Sequence, residues 1–443
     1  MTSSPFESPR LTRILVGILV LKITLFAFIA FQRPQALYPP DASSYITPAA
    51  ELVRHGTFTD HGRPVLFRTP GYSLLLAPIV AGFGTDHAHL VVIIQFLLSF
   101  ITAAMMFSCT RGLHGGRSIA TFALLIALVD PTILAGEFSV ATETLYTTLL
   151  TAAVCAVAWY ARTRKAATLP ASLTAITLAT FVRPVALYLG TLAAAFLATE
   201  TIRQRQWKHL ALVALGLTIN LGAIHAWEVR NERLFGEPVF VSVKGRNLYA
   251  YNAAAVRALA EGRSYREVQA AHLADRVSDN PAVQARYEEA RGLRILAAHP
   301  VATLAVTLKG LAVNLFEPGT GFFLNLLGLR QSGSGIIYKF QSMPFVSFLR
   351  YLVQHELPLL VATVVGMGYL LVFWSLVFLG SASVFRTSSL VFWMVVGTVA
   401  YHLVLSAGPA STFRFRTPVV PLLALLAAFG WGRVLAWEEQ RRS

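Results

Sequence analysis

The sequence predicts an all-α polytopic membrane protein, and three observations lead there. Hydrophobic residues make up 55% of the 443 positions and charged residues only 13%, about half the charge of an ordinary soluble domain. The mean hydropathy is +0.59. Apolar runs of about 18–22 residues recur along the chain, the length a helix needs to cross hydrocarbon.

The elements follow in order. The run Ile14–Phe31 is too long for a signal-peptide core and lacks a small-residue cleavage site, so it reads as a retained span. Pro34 to about His89 is an external segment of two or three short helices, within which Tyr72–Val80 is apolar but too short to span and fits the interface. Further spans are expected at about Leu90–Thr110, Ser118–Leu134, Val140–Ala161, Leu169–Val182, Val185–Thr199 and His209–Trp227. Glu228–Pro300 carries charges of both signs and helical periodicity over Tyr265–Leu296, as expected of an external helical subdomain. Val301–Phe316 is apolar but contains Lys309 and reads as a span or a half-membrane helix, and the Gly/Ser-rich Gly319–Gly335 reads as a mobile loop. The last spans are Pro358–Leu379, Leu390–Leu405 and Pro418–Trp437, giving ten to twelve in all. Four segments result: a membrane module over 1–227 with its first external loop at 33–89, the subdomain 228–300, a membrane-associated helix and loop at 301–357, and C-terminal membrane helices at 358–443.

The net charge of +15 does not point to nucleic acid, because much of it lies in short links between spans. Arg111–Arg117, Arg162–Lys165 and Arg203–Lys208 contain no acid. Such links belong on the cytoplasmic side, where anionic headgroups account for them. The parity of the spans puts all three on that side, and puts Arg441 and Arg442 there too if Val301–Phe316 does not cross. Cys109 and Cys155 lie in apolar stretches and form neither a disulfide framework nor a zinc pattern.

The chemistry-bearing residues collect on the opposite side. Asp41 is the first carboxylate after the first span, in Tyr-Pro-Pro-Asp-Ala-Ser-Ser-Tyr. Asp130, Glu137 and Glu143 are the only acids in the hairpin of spans three and four, and ionisable groups at membrane depth face a cavity or a partner. Arg68, Arg183, Arg414 and Arg416 map to the same side, and the planar fork of arginine suits phosphate. Each has a plainer reading. Asp41 is a fair N-cap for a short helix, Glu143 a favourable first-turn acid, Asp130 before Pro131 a helix-end residue, and any single arginine a headgroup anchor.

The segments Asp41…Tyr45…Ala49-Ala50-Glu51-Leu52, Gly62-Arg-Pro, Arg68-Thr-Pro-Gly-Tyr, Thr142-Glu-Thr-Leu-Tyr, Val182-Arg-Pro and Arg414-Phe-Arg-Thr-Pro together resemble GT-C-fold glycosyltransferases that use polyprenyl-phosphate sugars, among them protein O-mannosyltransferases and the lipid A aminoarabinose transferase. The resemblance covers roughly Ile14–Gly222 and Pro358–Gly430. It implies a GT-C-like fold and transfer of a sugar from a polyprenyl-phosphate donor to a glycan, lipid or protein acceptor. Asp41 would be the base or acceptor-positioning acid, and Glu143 a second catalytic carboxylate. Arg68, Arg183, Arg414 and Arg416 would hold the lipid phosphate, and Tyr45, Tyr72 and Glu137 would contact substrate. Where several members have a second acid after the first, this chain has Ala42, and Thr69 stands between Arg68 and Pro70. No cofactor or metal is required by this scheme. Location in a bacterial inner membrane, with the site on the periplasmic face, fits the Ala/Arg-rich spans and the lack of Asn-x-Ser/Thr. The rivals are a transporter or flippase of an anionic or lipid-linked substrate, against which no inverted repeat is evident, and a polyprenyl-pyrophosphate glycan ligase.

Overall fold

The computed structural model describes residues 9–329 and 345–442. It begins with α1 (Pro9–Gln32), then α2 (Ser43–His55), the hairpin strands β1 (Thr59–Asp60) and β2 (Arg63–Pro64), and α3 (Gly71–Phe83). A run of membrane helices follows: α4 (Ala88–Gly112), α5 (Arg117–Val129), α6 (Pro131–Glu137), α7 (Glu143–Thr163), α8 (Thr168–Val182), α9 (Leu189–Arg203) and α10 (Trp207–Phe235). The polar block forms α11 (Ser242–Arg246), a π-helical turn (Asn247–Ala253), α12 (Ala254–Glu261), α13 (Tyr265–Ala274) and α14 (Pro281–Ala298). Then come α15 (Pro300–Phe316), α16 (Thr320–Leu326), α17 (Phe345–His355), α18 (Leu357–Thr387), α19 (Ser389–Leu405) and α20 (Val420–Arg442).

Among the described residues seven helices are long and apolar enough to cross a membrane, or nine if each of two bent pairs is one span. The shorter apolar helices α8 and α19 stand where the sequence places spans, so the fold is the expected all-α polytopic one. The bent pairs are α5 with α6, which turn by 48°, and α14 with α15, which turn by 104°. In each, proline opens the second helix, where its missing N–H is no loss and its ring cannot continue the helix before it.

The basic links gather at one end of the bundle. Gly112 lies against the Arg162 side chain, and Arg164 bonds Gln204 at 2.7 Å. The C-terminal helix ends there as well, since Trp431 stacks on Phe122 of α5 at 5.4 Å. The other end holds the first loop, the polar subdomain and the Gly408–Arg416 segment. α15 begins at that subdomain, packs Gly310 against Gly408 and ends at the level of Arg416, whose guanidinium holds the carbonyls of Asn314 and Leu315. It packs into the bundle between the subdomain and the Arg416 turn, and both expectations for Val301–Phe316, a span or a half-membrane helix, stand. α16 occupies part of the stretch expected to be a mobile loop, and the rest of that stretch, from residue 330, lies outside the described residues.

α20 is enclosed on every side over Val420–Gly430. Two glycines let α18 approach it. A Cβ at Gly380 would fall 1.8 Å from the Leu426 carbonyl oxygen, and one at Gly430 would fall 2.0 Å from that of Leu376. Small residues at such a crossing are the usual means of close packing between membrane helices.

A polar network ties α1 to this frame. Lys22, in the middle of α1, donates to both oxygens of Glu137 at 2.9 and 2.8 Å and also to Ser99 Oγ at 3.4 Å. Both charges are buried. Gln95 donates to the backbone carbonyls of Glu137 and Ser139, and Tyr72 Oη donates to Gln95 Oε1 at 3.3 Å. Removing one member of such a pair leaves a naked charge in a dry place, whereas removing both does not. Lys22→Met alone is expected to lower stability by about 3–5 kcal/mol, and Lys22→Met with Glu137→Gln to recover most of that loss. Thermal unfolding in detergent measures both, and equal losses in the single and double variants would show that the pair does not hold α1.

Candidate active site

Glu143 is the centre of the site. It opens α7, its side chain is 3% exposed, and it has two guanidinium partners from distant segments. Arg414 Nη2 donates to its Oε1 at 2.7 Å, and Arg183 Nη1 approaches the same oxygen at 3.1 Å. Its second oxygen has no hydrogen-bond partner.

Local sequence explains each placement. Arg183 precedes Pro184, and the proline ring forbids helix at the residue before it. Arg183 is accordingly extended (φ −137°, ψ 117°) and leaves the α8 axis, which carries its side chain to Glu143 between the rings of Tyr146 (5.8 Å) and Phe415 (6.0 Å). Arg414 sits on a 3-10 turn, Phe413–Phe415, whose first residue is anchored by its N–H donating to Glu317 at 2.8 Å. Behind Glu143 lies Gly136 of α6, where a Cβ would come within 3.2 Å of the glutamate Cβ. α6 is thus the shelf on which Glu143 rests.

A second ion pair stands nearby. Arg68 Nη2 meets Asp41 Oδ1 at 2.8 Å, and Arg68 Nε donates to Ser44 Oγ at 3.0 Å. Its guanidinium lies 4.8 Å from the Tyr45 and Phe67 ring centroids. Asp41 does not cap α2, whose N-cap is Ala42 with no side-chain bond. Its side chain is 64% exposed, so it faces the opening while Arg68 beside it is mostly covered. Tyr45 connects the two pairs. Burial pushes its phenol above the ordinary value, Arg68 and Arg183 oppose that, and Glu143 and Asp41 add to it. All four charged groups are therefore within electrostatic reach of one ring.

The three guanidiniums of Arg68, Arg183 and Arg414 face two carboxylates, so one positive charge remains unbalanced. A site of that composition has the charge and the donors to take an anion.

Three expected site residues lie elsewhere. Arg416, expected on phosphate, is 2% exposed and donates to the carbonyls of Asn314, Leu315 and Glu317. It fastens the Arg414 segment from behind. Glu137, expected to contact substrate, is enclosed with Lys22. Tyr72 is fully buried and turned to Gln95; it packs edge-on to Tyr45 at 5.3 Å and supports it. Asp130 is a helix-end residue, as its position before proline suggests, accepting from Thr132 N–H at 2.8 Å.

Sequence reasoning passed over Lys22, His402 and Arg230. A single lysine in the middle of the first apolar run was the signal for Lys22. His402 reaches the Phe415 carbonyl at 3.0 Å and Tyr146 Oη at 3.4 Å, helping to fix the arginine-bearing turn. Arg230 donates to the carbonyls of Val65 and Phe58 and so braces the hairpin that leads to Arg68.

Residues 67–225, which include Arg68, Glu143 and Arg183, match the family described as dolichyl-phosphate-mannose-protein mannosyltransferase. The match covers about a third of the chain. No match among curated proteins accompanies it. Among solved structures, the chain is similar to ArnT from Cupriavidus metallidurans in the apo state, with 14% identity, TM-score 0.39, and coverage of 95% of this chain and 78% of that one. The same values hold for ArnT bound to undecaprenyl phosphate. It is also similar to the archaeal oligosaccharyltransferase AglB from Archaeoglobus fulgidus, in complex with an inhibitory peptide and a dolichol-phosphate, with 12% identity, TM-score 0.47 and 96% of this chain covered. The chain spans about half (51%) of that protein.

Glu143→Gln leaves Arg183 and Arg414 together without their shared counter-charge. Stability is expected to fall by about 2–4 kcal/mol, below the range for a fully buried pair because the Arg414 side chain remains 33% exposed. Phosphate at tens of millimolar is expected to raise the melting temperature of this variant more than that of the wild type. An equal response of both proteins would show that Glu143 does not neutralise the two arginines.

Proposed function

We propose that the chain is a GT-C-type membrane glycosyltransferase, which moves a sugar from a polyprenyl phosphate to an acceptor nucleophile at the external membrane face. The observation that carries this reading is the convergence of Arg183 and Arg414 on Glu143, with the Arg68–Asp41 pair in electrostatic reach through Tyr45. The matched family, by its description, takes sugar from a lipid phosphate, which agrees with an anion site at bilayer depth. The side is supported by charge: the acid-free basic links lie at the opposite end of the bundle, and links of that kind are retained in the cytoplasm. In a bacterial inner membrane the mouth is then periplasmic.

The reaction breaks the bond between the anomeric carbon and the phosphate oxygen, and the electron pair leaves with the phosphate. The acceptor oxygen forms the new bond to the anomeric carbon and gives up its proton. Guanidiniums already fixed by Glu143 stabilise the charge that grows on the leaving oxygen without rearranging. Arg183 and Arg414 are held in that way, and Arg68 stands at the rim between phosphate and Asp41. Asp41 orients the acceptor hydroxyl and takes its proton. Glu143 is committed to two arginines through one oxygen, and its other oxygen is buried without a hydrogen-bond partner. Phosphate arriving at Arg68 competes with Asp41 for the guanidinium and so releases the carboxylate for the acceptor.

Asp41→Asn keeps the size and the exposed position of the side chain. It is expected to keep undecaprenyl phosphate binding while losing turnover by about 10²–10⁴-fold, measured as release of free polyprenyl phosphate. Unchanged turnover removes Asp41 from the reaction. Arg68→Ala and Arg183→Lys are expected to weaken lipid-phosphate binding, the lysine failing because a point charge does not replace a planar fork. If both bind undecaprenyl phosphate as the wild type does, the arginines do not hold the donor.

A further inference from the structure

We infer that the groove on the far side of α2 from Arg68 is the acceptor subsite, and that it takes a neutral, hydroxyl-rich glycan. This inference rests on the transferase reading above and adds the acceptor to it.

α2 is a wall with two different faces. Tyr45 and Ser44 face Arg68 and α3: Tyr45 packs on Tyr72, its carbonyl accepts from Ser73 at 2.9 Å, and Ser44 bonds Arg68. Ser43, Ile46, Thr47, Ala50, Glu51 and Arg54 fall at spacings of three and four and form the other face. They line a groove of about 490 Å³ closed by Tyr38, Pro39, Pro40, His61, Thr85 and Asp86. Such a volume lies within the range of ordinary small-ligand sites. Asp41 sits between two lining residues, Pro40 and Ala42, while its carboxylate is held by Arg68 on the other side. It stands on the ridge where the groove meets the arginine mouth, and that is where an acceptor hydroxyl must be presented.

The lining chooses the occupant. Glu51 and Asp86 outnumber Arg54, so the groove is slightly acidic and does not attract a second anion. Donors and acceptors alternate around it. Thr59 Oγ1 donates to one oxygen of Glu51 at 2.9 Å, leaving the other open. Tyr38 Oη accepts from the Ala88 N–H at 3.1 Å, which leaves its own O–H to donate. Hydroxyl groups, which both give and accept, match such a rim, and the prolines with Ile46 supply apolar faces for the C–H side of a sugar ring.

The test uses the full chain in nanodiscs. Saturation-transfer NMR is recorded with cellobiose, maltose and lactose, and undecaprenyl phosphate binding is measured in parallel. Thr47→Trp fills the middle of the groove, and Ser43→Tyr fills its end near Asp41 as a second variant should the first misfold. At least one disaccharide is expected to bind the wild type and to lose affinity tenfold or more in a variant, with undecaprenyl phosphate binding unchanged within twofold. The inference is overturned if no disaccharide binds, if the variants bind it as the wild type does, or if a Ser/Thr-rich hexapeptide occupies the groove instead. Failure of undecaprenyl phosphate to bind the wild type counts against the donor reading, independently of the groove.

Discussion

A carboxylate placed at the edge of a membrane bundle must find positive charge or give up its own. Glu143 meets that constraint with Arg183 and Arg414, and much of the surrounding architecture follows from bringing these residues together. They come from the head of α7, the break between α8 and α9, and the turn before α20, 231 residues apart between the outer two arginines (414 − 183). The break at Arg183 exists because Pro184 forbids helix there. The turn at Arg414 exists because Arg416, two residues on, collects three carbonyls at the end of α15. Gly136 lets α6 pack closely behind Glu143, where an added Cβ would sit 3.2 Å from the glutamate Cβ.

The same logic explains why so many polar groups of this chain lie out of reach of water. Lys22 and Glu137, Arg416 with its carbonyls, and Asp130 with Thr132 and Tyr369 all lie near the site end and each fixes a segment that borders Glu143. A buried ion pair contributes little net stability against an apolar pair of equal volume. Its directionality is another matter: the carboxylate of Glu137 and the carbonyls of residues 314–317 accept only from particular directions, so each contact sets the height and rotation of a helix. Small errors of that kind at Glu143 would uncouple its arginines from one another.

Much of the fold was legible in the sequence because hydrophobic length and basic links are strong, local signals. The three acid-free links gather at one end as their charge requires, and the polar block folds as helices. The site was legible in composition and only partly in detail. Arg414 and Arg416 lie two residues apart in a short aromatic turn, and nothing local says which guanidinium faces the mouth; carbonyls about a hundred residues away decide it. Glu137 reads as a substrate contact until its partner is known, and that partner, Lys22, is 115 residues distant. Asp41 reads equally as a helix cap, and tertiary structure overrides this by offering it Arg68. The hairpin of β1 and β2 was missed because its turn, His61-Gly62, uses a histidine at positive φ (49°) beside the glycine (75°), a pairing outside the usual Asn-Gly and Asp-Gly signals.

The arrangement of charge also bears on how the proposed lipid-phosphate donor would be handled. Lysines at these positions would each carry a well-hydrated point charge on a flexible stem, and water would follow them into the mouth. Guanidiniums shed water more readily and can keep one edge on a carboxylate while presenting another to phosphate. Arg183 and Arg414 share a single oxygen of Glu143 and keep further N–H groups for a second anion. Arg68, lying over two aromatic rings, is fixed by packing as well as by charge. On the proposed reaction, the geometry needed at the transition state is already assembled by these contacts, and binding energy from a polyprenyl chain would not be consumed in assembling it. α2 keeps the Arg68–Asp41 pair and the slightly acidic groove on separate faces of one helix, so that in the proposed reaction a phosphate and a neutral hydroxyl group would approach Asp41 from opposite sides.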